Sequence, residues 1–501
     1  MSATKTRYAP HVRNAAIGTL VAGALAAGVV FLGPEKSAGP PPAAGPAGRA
    51  MLAADAGAPA SLPELSKLIR DREKWLKESP DDGRSWALLG SAYVARGTLL
   101  GDWESFPKAE TALKNSLAVR PGAKANPEAQ LGMAALANAR RDYPAAKRWA
   151  EAVRAQAPKR WATYAVLSET YGGLGDYRAA AQATEQLLKL RPDTARALGR
   201  AAEAYSDRGW REDALEKADE ALARATNPAE KAAAQHRLGE LAWERGEPAE
   251  AVGHYDAALR IDAGHHAALA GRGRALAALG RTEEALRDYA TAVEKRPLPQ
   301  YALEAGELFE SLDLDGDAQG QYDLMRERAT RAREHGGSEE LVLARYETDH
   351  GQAKSAVVRL TGEWERGHRS VYMADALGWA LFRAGKEEEA LPYAKRATAL
   401  GMRNALFAYH RGAIERWLGL YGPARRHIGE ALRINPDFSP LLAPAARKAL
   451  KALGEPPSGG PRDVTGDPSI PIPTPSLSPS GSGAGSPSPS PSASAADPSP
   501  S

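Results

Sequence analysis

The chain has 501 residues, 65 of them basic and 62 acidic, for a formal charge of +3. That length exceeds what one compact core usually covers, and a near-neutral balance excludes a strong electrostatic pull toward nucleic acid. Cysteine is absent, which excludes disulfides, thiolate metal sites and a cysteine nucleophile.

In chain order, residues 1–14 form a basic segment carrying Lys5, Arg7 and Arg13. Residues 15–32, AAIGTLVAGALAAGVVFL, contain no charge. A run of about 17–25 apolar residues can span a bilayer, with the basic flank kept on the cytoplasmic side. A cleaved signal peptide with a cut near Ala24-Leu25-Ala26 is the rival reading, and a cytoplasmic chain with a merely apolar start is the third. The first two readings place residues after 32 at the cell envelope, anchored by one N-terminal helix, or secreted after cleavage. Residues 33–61 are a Pro/Ala/Gly-rich linker. Residues 454–501 are rich in Pro, Ser and Gly, which predicts a disordered tail, since so few apolar side chains cannot offset ordering entropy.

Between these ends, residues 62–453 repeat. Ala109, Ala146, Ala180, Ala214, Ala251, Ala285, Ala318, Ala356, Ala390 and Ala424 follow one another at steps of 37, 34, 34, 37, 34, 33, 38, 34 and 34. A period near 34 predicts stacked helix pairs, with the small residue where the two helices of each pair cross. Glycine lies five residues before the alanine at Gly175, Gly209, Gly246, Gly280, Gly351, Gly385 and Gly419, where the first helix must end in a left-handed cap. Pro107, Pro144, Pro248 and Pro423 fit the first turn of the second helix. Pro121, Pro158, Pro192, Pro297 and Pro436 mark its end. Pro392 falls inside a second helix and should bend it or shift its start. About seven extra residues near TLLGDWESF interrupt the first repeat. The repeats at Ala318 and Ala356 keep little of the pattern. A lone helix is expected over 62–79 and a closing helix over 438–453, as caps.

Trp86, Leu89, Gly90 and Tyr93, followed by Ala109 and Pro121, spell Trp-x-x-Leu-Gly-x-x-Tyr, a small residue and a closing proline. Tyr171 and Tyr205 repeat Tyr93, and Gly239, Gly273, Gly306, Gly378 and Gly412 repeat Gly90. Tyr255, Tyr289 and Tyr322 follow the alanine by four. The chain therefore resembles the tetratricopeptide repeat (TPR) family, with about ten repeats. The resemblance implies an all-α superhelical solenoid of helix-turn-helix units whose first helices line a concave face. By the same resemblance, groove-facing positions include Tyr372, Asp375, Trp379, Phe382 and Arg383 in one repeat and Tyr409, Arg416 and Trp417 in the next. Aromatics interspersed with arginine suit binding hot spots, although helical aromatics also serve as packing. A clamp for a C-terminal carboxylate would need lysine and asparagine where the chain has Ala165, Glu169, Ala270 and Arg274, so a chaperone-tail receptor is unsupported.

Other chemistry is thin. Asp313, Asp315 and Asp317 resemble part of a calcium loop, but glycine comes fourth and the twelfth position is Leu324. A solvated turn is expected instead. His265 and His266 are expected at a solvated helix start, pointing apart. GRGRALAALG over 271–280 lacks the Gly-Lys-Ser/Thr ending of a phosphate loop. No nucleophile elbow is present. The sequence thus predicts no enzyme, cofactor or metal. It predicts a scaffold that binds a protein or peptide at the envelope, with an envelope assembly factor or an accessory subunit of an enzyme or transporter complex as alternatives.

Overall fold

The computed structural model describes residues 62–119, 121 and 126–455. Expectations for residues 1–61 and 456–501, including the apolar segment 15–32, lie outside the described residues. Among those described there are 22 helices and no strand, and no helix is long and apolar enough to cross a membrane.

A leading helix, α1 (Leu62–Glu78), precedes ten helix pairs. These are α2 (Gly83–Leu100) with α3 (Ser105–Val119), α4 (Pro127–Ala139) with α5 (Tyr143–Gln156), and α6 (Trp161–Gly173) with α7 (Tyr177–Leu190). Next come α8 (Ala195–Arg208) with α9 (Arg211–Arg224), α10 (Pro228–Glu244) with α11 (Pro248–Ile261), and α12 (His266–Ala278) with α13 (Thr282–Lys295). The weak repeats form pairs like the rest: α14 (Pro299–Glu310) with the long α15 (Asp315–Glu334), and the short α16 (Glu340–Asp349) with α17 (Ala353–Glu365). The last pairs are α18 (Val371–Arg383) with α19 (Glu387–Ala397) and α20 (Ala405–Trp417) with α21 (Tyr421–Ile434), closed by α22 (Leu442–Leu453). The closing helix begins at Leu442 rather than 438.

The crossing argument holds in every pair. All ten alanines are buried, and eight of them have no accessible surface. At Gly90, Gly273, Gly378 and Gly412 the first helix presents a glycine directly to the alanine's backbone. A Cβ on Gly273 would lie 3.1 Å from the Ala285 carbonyl oxygen, and one on Gly412 3.2 Å from that of Ala424. All seven predicted cap glycines take positive φ. Three pairs lack that glycine: the first, with its insertion, caps its helix at Gly101 (φ 64°), and in the other two Arg141 (φ 62°) and Asp313 (φ 60°) adopt the same left-handed backbone. Asp313 is therefore a helix stop and not part of an ion loop. Among the described residues no group of His, Asp and Glu is placed to hold a metal. The closing prolines stand two residues past their helices, as Pro158 does after Gln156 and Pro436 after Ile434. Pro392 leaves the start of α19 in register, two residues after Gly385, although α19 spans only 11 residues.

The pairs wind into a superhelix whose turns touch. Gly101 faces Arg296, Arg140 faces Gly336, Gly209 faces Gly401, and Gly246 faces Ile434. The backbone N–H of Arg369 donates to the Gly173 carbonyl at 3.0 Å. Tyr177 Oη accepts from the Val371 N–H at 2.9 Å, and Asn435 Nδ2 donates to the Trp243 carbonyl at 3.0 Å. Arg141 pairs with the buried Glu339 at 3.0 Å. In each case the turn inside pair n meets the loop that follows pair n + 5. The first-repeat insertion takes part too, because Trp103 packs against Gly337. The array thus makes two stacked turns joined along one continuous seam.

Candidate functional site

The first helices face an interior space. Its main cleft, about 660 Å³, is lined by α8, α10, α12, α14, α16, α18 and α20 and by the start of α22. A second space of about 420 Å³ shares Ser206, Glu244, Leu341 and Tyr372 with it.

Charge along this interior follows the repeat. Arg237 pairs with Glu203, Arg274 approaches Glu240 at 3.4 Å, and Arg383 meets Asp349 at 2.7 Å. Each arginine stands 34 residues after its carboxylate, one repeat further along the same face. Arg274 also reaches Glu304 at 3.7 Å, so the rungs connect. Tyrosines four residues past the crossing alanine brace them from behind: Tyr255 Oη donates to Glu240 at 2.6 Å and Tyr289 Oη to Glu304 at 3.1 Å. Burial works to raise the Glu240 carboxyl, but Arg274, His236 and the Tyr255 hydroxyl outweigh it and hold it at about 2.

Two carboxyls behave oppositely. Glu307 is pushed up to about 7 by burial, with Glu304 and Asp349 adding to the shift against the opposing charge of Arg345. Asp207 is pushed up to about 6 by burial and by Glu203 beside it, while the Tyr372 hydroxyl donates to it from the next turn at 3.2 Å. Glu244 is also raised by burial. Unpaired interior carboxyls of this kind favour a proton, or an incoming cation, over bare ionisation.

The structure divides the eight sequence-predicted positions. Tyr372, Asp375, Trp379 and Arg383 line the cleft. Phe382, Tyr409, Arg416 and Trp417 are not among its lining residues. Tyr409 is buried against Trp379 and Phe438, and Trp417 stands 69% exposed. Asp375 and Trp379 are themselves partly structural. The Trp379 ring stacks on His410 at 4.1 Å, Asp375 holds His410 at 2.9 Å, and Trp379 Nε1 donates to Asp349. His265 and His266 stand at a helix start as expected but are half-buried there. His265 accepts from the Ala268 N–H, His266 bonds to the Tyr301 hydroxyl at 2.8 Å, and burial depresses both, His266 to about 3. Of the positions tested for a carboxylate clamp, Glu169 faces Arg200 and Arg274 belongs to the interior ladder.

Sequence reasoning did not single out Glu244, Glu304, Glu307 and Arg345, although all line the cleft. The signal was present in the spacing of 34 between the acidic and basic residues at 203 and 237, 240 and 274, and 349 and 383.

Paired helices, capped turns and a concave interior define a helical-repeat solenoid. A tetratricopeptide repeat family model matches residues 167–209 and 200–266, so this stretch of the array is built of tetratricopeptide repeats. No curated protein sequence matches it. Among solved structures it is similar to a tetratricopeptide repeat protein from Parabacteroides merdae, at 20% identity over 52% of this chain and 99% of that one, with a TM-score of 0.32. It is also similar to the Cut9–Hcn1 hetero-tetramer of the APC/C (14%, 78% of this chain and 82% of that one, TM-score 0.40) and to a human IFIT1 dimer with m7Gppp-AAAA (17%, 70% and 80%, TM-score 0.43). At these scores the likenesses carry no inference about partners.

Proposed function

We propose that the chain is a non-enzymatic scaffold that binds an extended protein or peptide segment in its interior cleft, held at the cell envelope through residues 15–32. The observation that carries the binding reading is the interior ladder. Paired carboxylates and guanidiniums, with Tyr372 and Trp379 between them, offer a peptide both charge-assisted hydrogen bonds and aromatic contact. Stacked helices hold these groups in place, so binding requires little rearrangement. The uncharged segment after Lys5, Arg7 and Arg13 supports the envelope location.

The test is capture of partners from envelope extracts by the full-length chain. Arg345→Ala combined with Glu307→Ala should abolish capture, and Trp417→Ala should leave it intact. A second reading, an assembly factor acting through its outer surface, draws on the exposed Trp417 and Tyr421, 69% and 60% accessible. That reading predicts the reverse pattern. Mass spectrometry of the mature N-terminus tests the anchor: a start beyond residue 26 replaces the anchored form with a secreted one.

A further inference from the structure

The seam leaves one edge unused on each half of the array. In the first half, the cap glycines press on the second turn. A Cβ on Gly175, Gly209 or Gly246 would come within 2.1–2.5 Å of Arg369, Gly401 or Ile434 backbone. In the second half, Gly280, Gly351, Gly385 and Gly419 occupy the same place in their pairs, and a Cβ there would meet nothing within 4 Å among the described residues. The loops show the converse. Those that follow α13, α15, α17, α19 and α21 are covered at the seam. Those that follow α5, α7, α9 and α11 keep their hydrogen bonds and ion pairs within neighbouring pairs.

The two open edges match each other in chemistry. The free turns expose Leu279, Leu312, Leu314 and Leu420, each between 37% and 42% accessible. Acidic first turns lie beside them, Glu283 and Glu284 on α13, Asp315 and Asp317 on α15, and Glu387 to Glu389 on α19. The free loops and helix ends of the first half carry Lys159, Arg160, Arg191 and Arg224, with Arg160 paired to Glu128 and Arg224 to Asp193 at the surface. Turn-on-loop contact of this type already holds the chain to itself five times over.

We propose that a second copy of the chain docks on the free turns through its own first-half loops, so that the superhelix continues from molecule to molecule. The two surfaces are different, so the contact is head-to-tail and does not close on itself.

Sedimentation of the full-length chain over a wide concentration range tests this. The mean mass should climb past two chains without levelling off. Leu314→Glu with Leu420→Glu removes one edge, and Lys159→Glu with Arg224→Glu removes the other. Both pairs alter exposed side chains, and an unchanged melting temperature establishes that each array is folded. Each variant alone should stay at one chain at concentrations at least tenfold above the onset of association in the parent. An equimolar mixture, in which each variant keeps the edge the other has lost, should pair and stop at two chains. A parent that stays at one chain or levels off at two would overturn the proposal. So would variants that associate like the parent, or a mixture that stays at one chain.

Discussion

Arg141 and Asp313 show how much one backbone conformation matters in a repeat. Both hold positive φ where the other turns use glycine, and a side chain there costs roughly 1–2 kcal/mol. Asp313→Gly should therefore raise stability, by about 0.5–1 kcal/mol once glycine's extra freedom in the unfolded chain is counted; urea unfolding checks this. Arg141→Gly should not. Arg141 neutralises Glu339 across the seam, and a buried carboxylate left without its partner costs about 1–3 kcal/mol, so the same measurement should show a net loss. Glu307 adds a pH dependence. Its folded value, about 7, lies above its ordinary 4.5, so the folded state holds that proton more tightly and ionisation destabilises it. Stability from this group is full below about pH 4.5, falls as pH rises toward 7, and stays low above. Asp207 acts in the same sense between about 4 and 6. Glu307→Gln should stabilise the chain at about pH 8 and flatten this part of the profile measured by denaturation.

Helix pairs form because each boundary is written locally: a glycine or its stand-in stops the first helix, proline starts or ends the second, and alanine admits the crossing. This is why pairing was legible even at Ala318, which keeps Gly306 and Tyr322, and at Ala356, which keeps Gly351. Ala285→Phe should overpack the α12–α13 crossing, where the alanine has no accessible surface, and cost about 1–3 kcal/mol. A thermal melt of that variant should show the loss. The candidate site was read less well. Placing groove residues by family position does not fix where each side chain of a first helix turns: Arg383 lines the cleft and its neighbour Phe382 does not. Tyr409 packs inside and Trp417 points out. Histidines at a helix start looked solvated because sequence does not show that Tyr301 sits 35 residues away to receive one of them.

Over the whole molecule, the controlling feature is the seam, and no motif announces it. It joins residues far apart in the chain, such as Asn435 with Trp243, 192 apart, and Arg141 with Glu339, 198 apart. Periodicity fixes how each repeat meets the next, but the superhelical pitch sums small rotations that a pattern of apolar residues does not encode. The seam sets the two turns side by side around the cleft, and so sets what shape of partner fits. A chain without native cysteine allows this to be measured directly. Spin labels at Trp210→Cys and Leu400→Cys, both exposed and flanking the contact of Gly209 with Gly401, report the spacing between turns by pulsed dipolar spectroscopy. Stacked turns predict a single short, narrow distance in the full-length chain. A long or broad distribution would mean that the turns stand apart, and would contradict the two-turn solenoid.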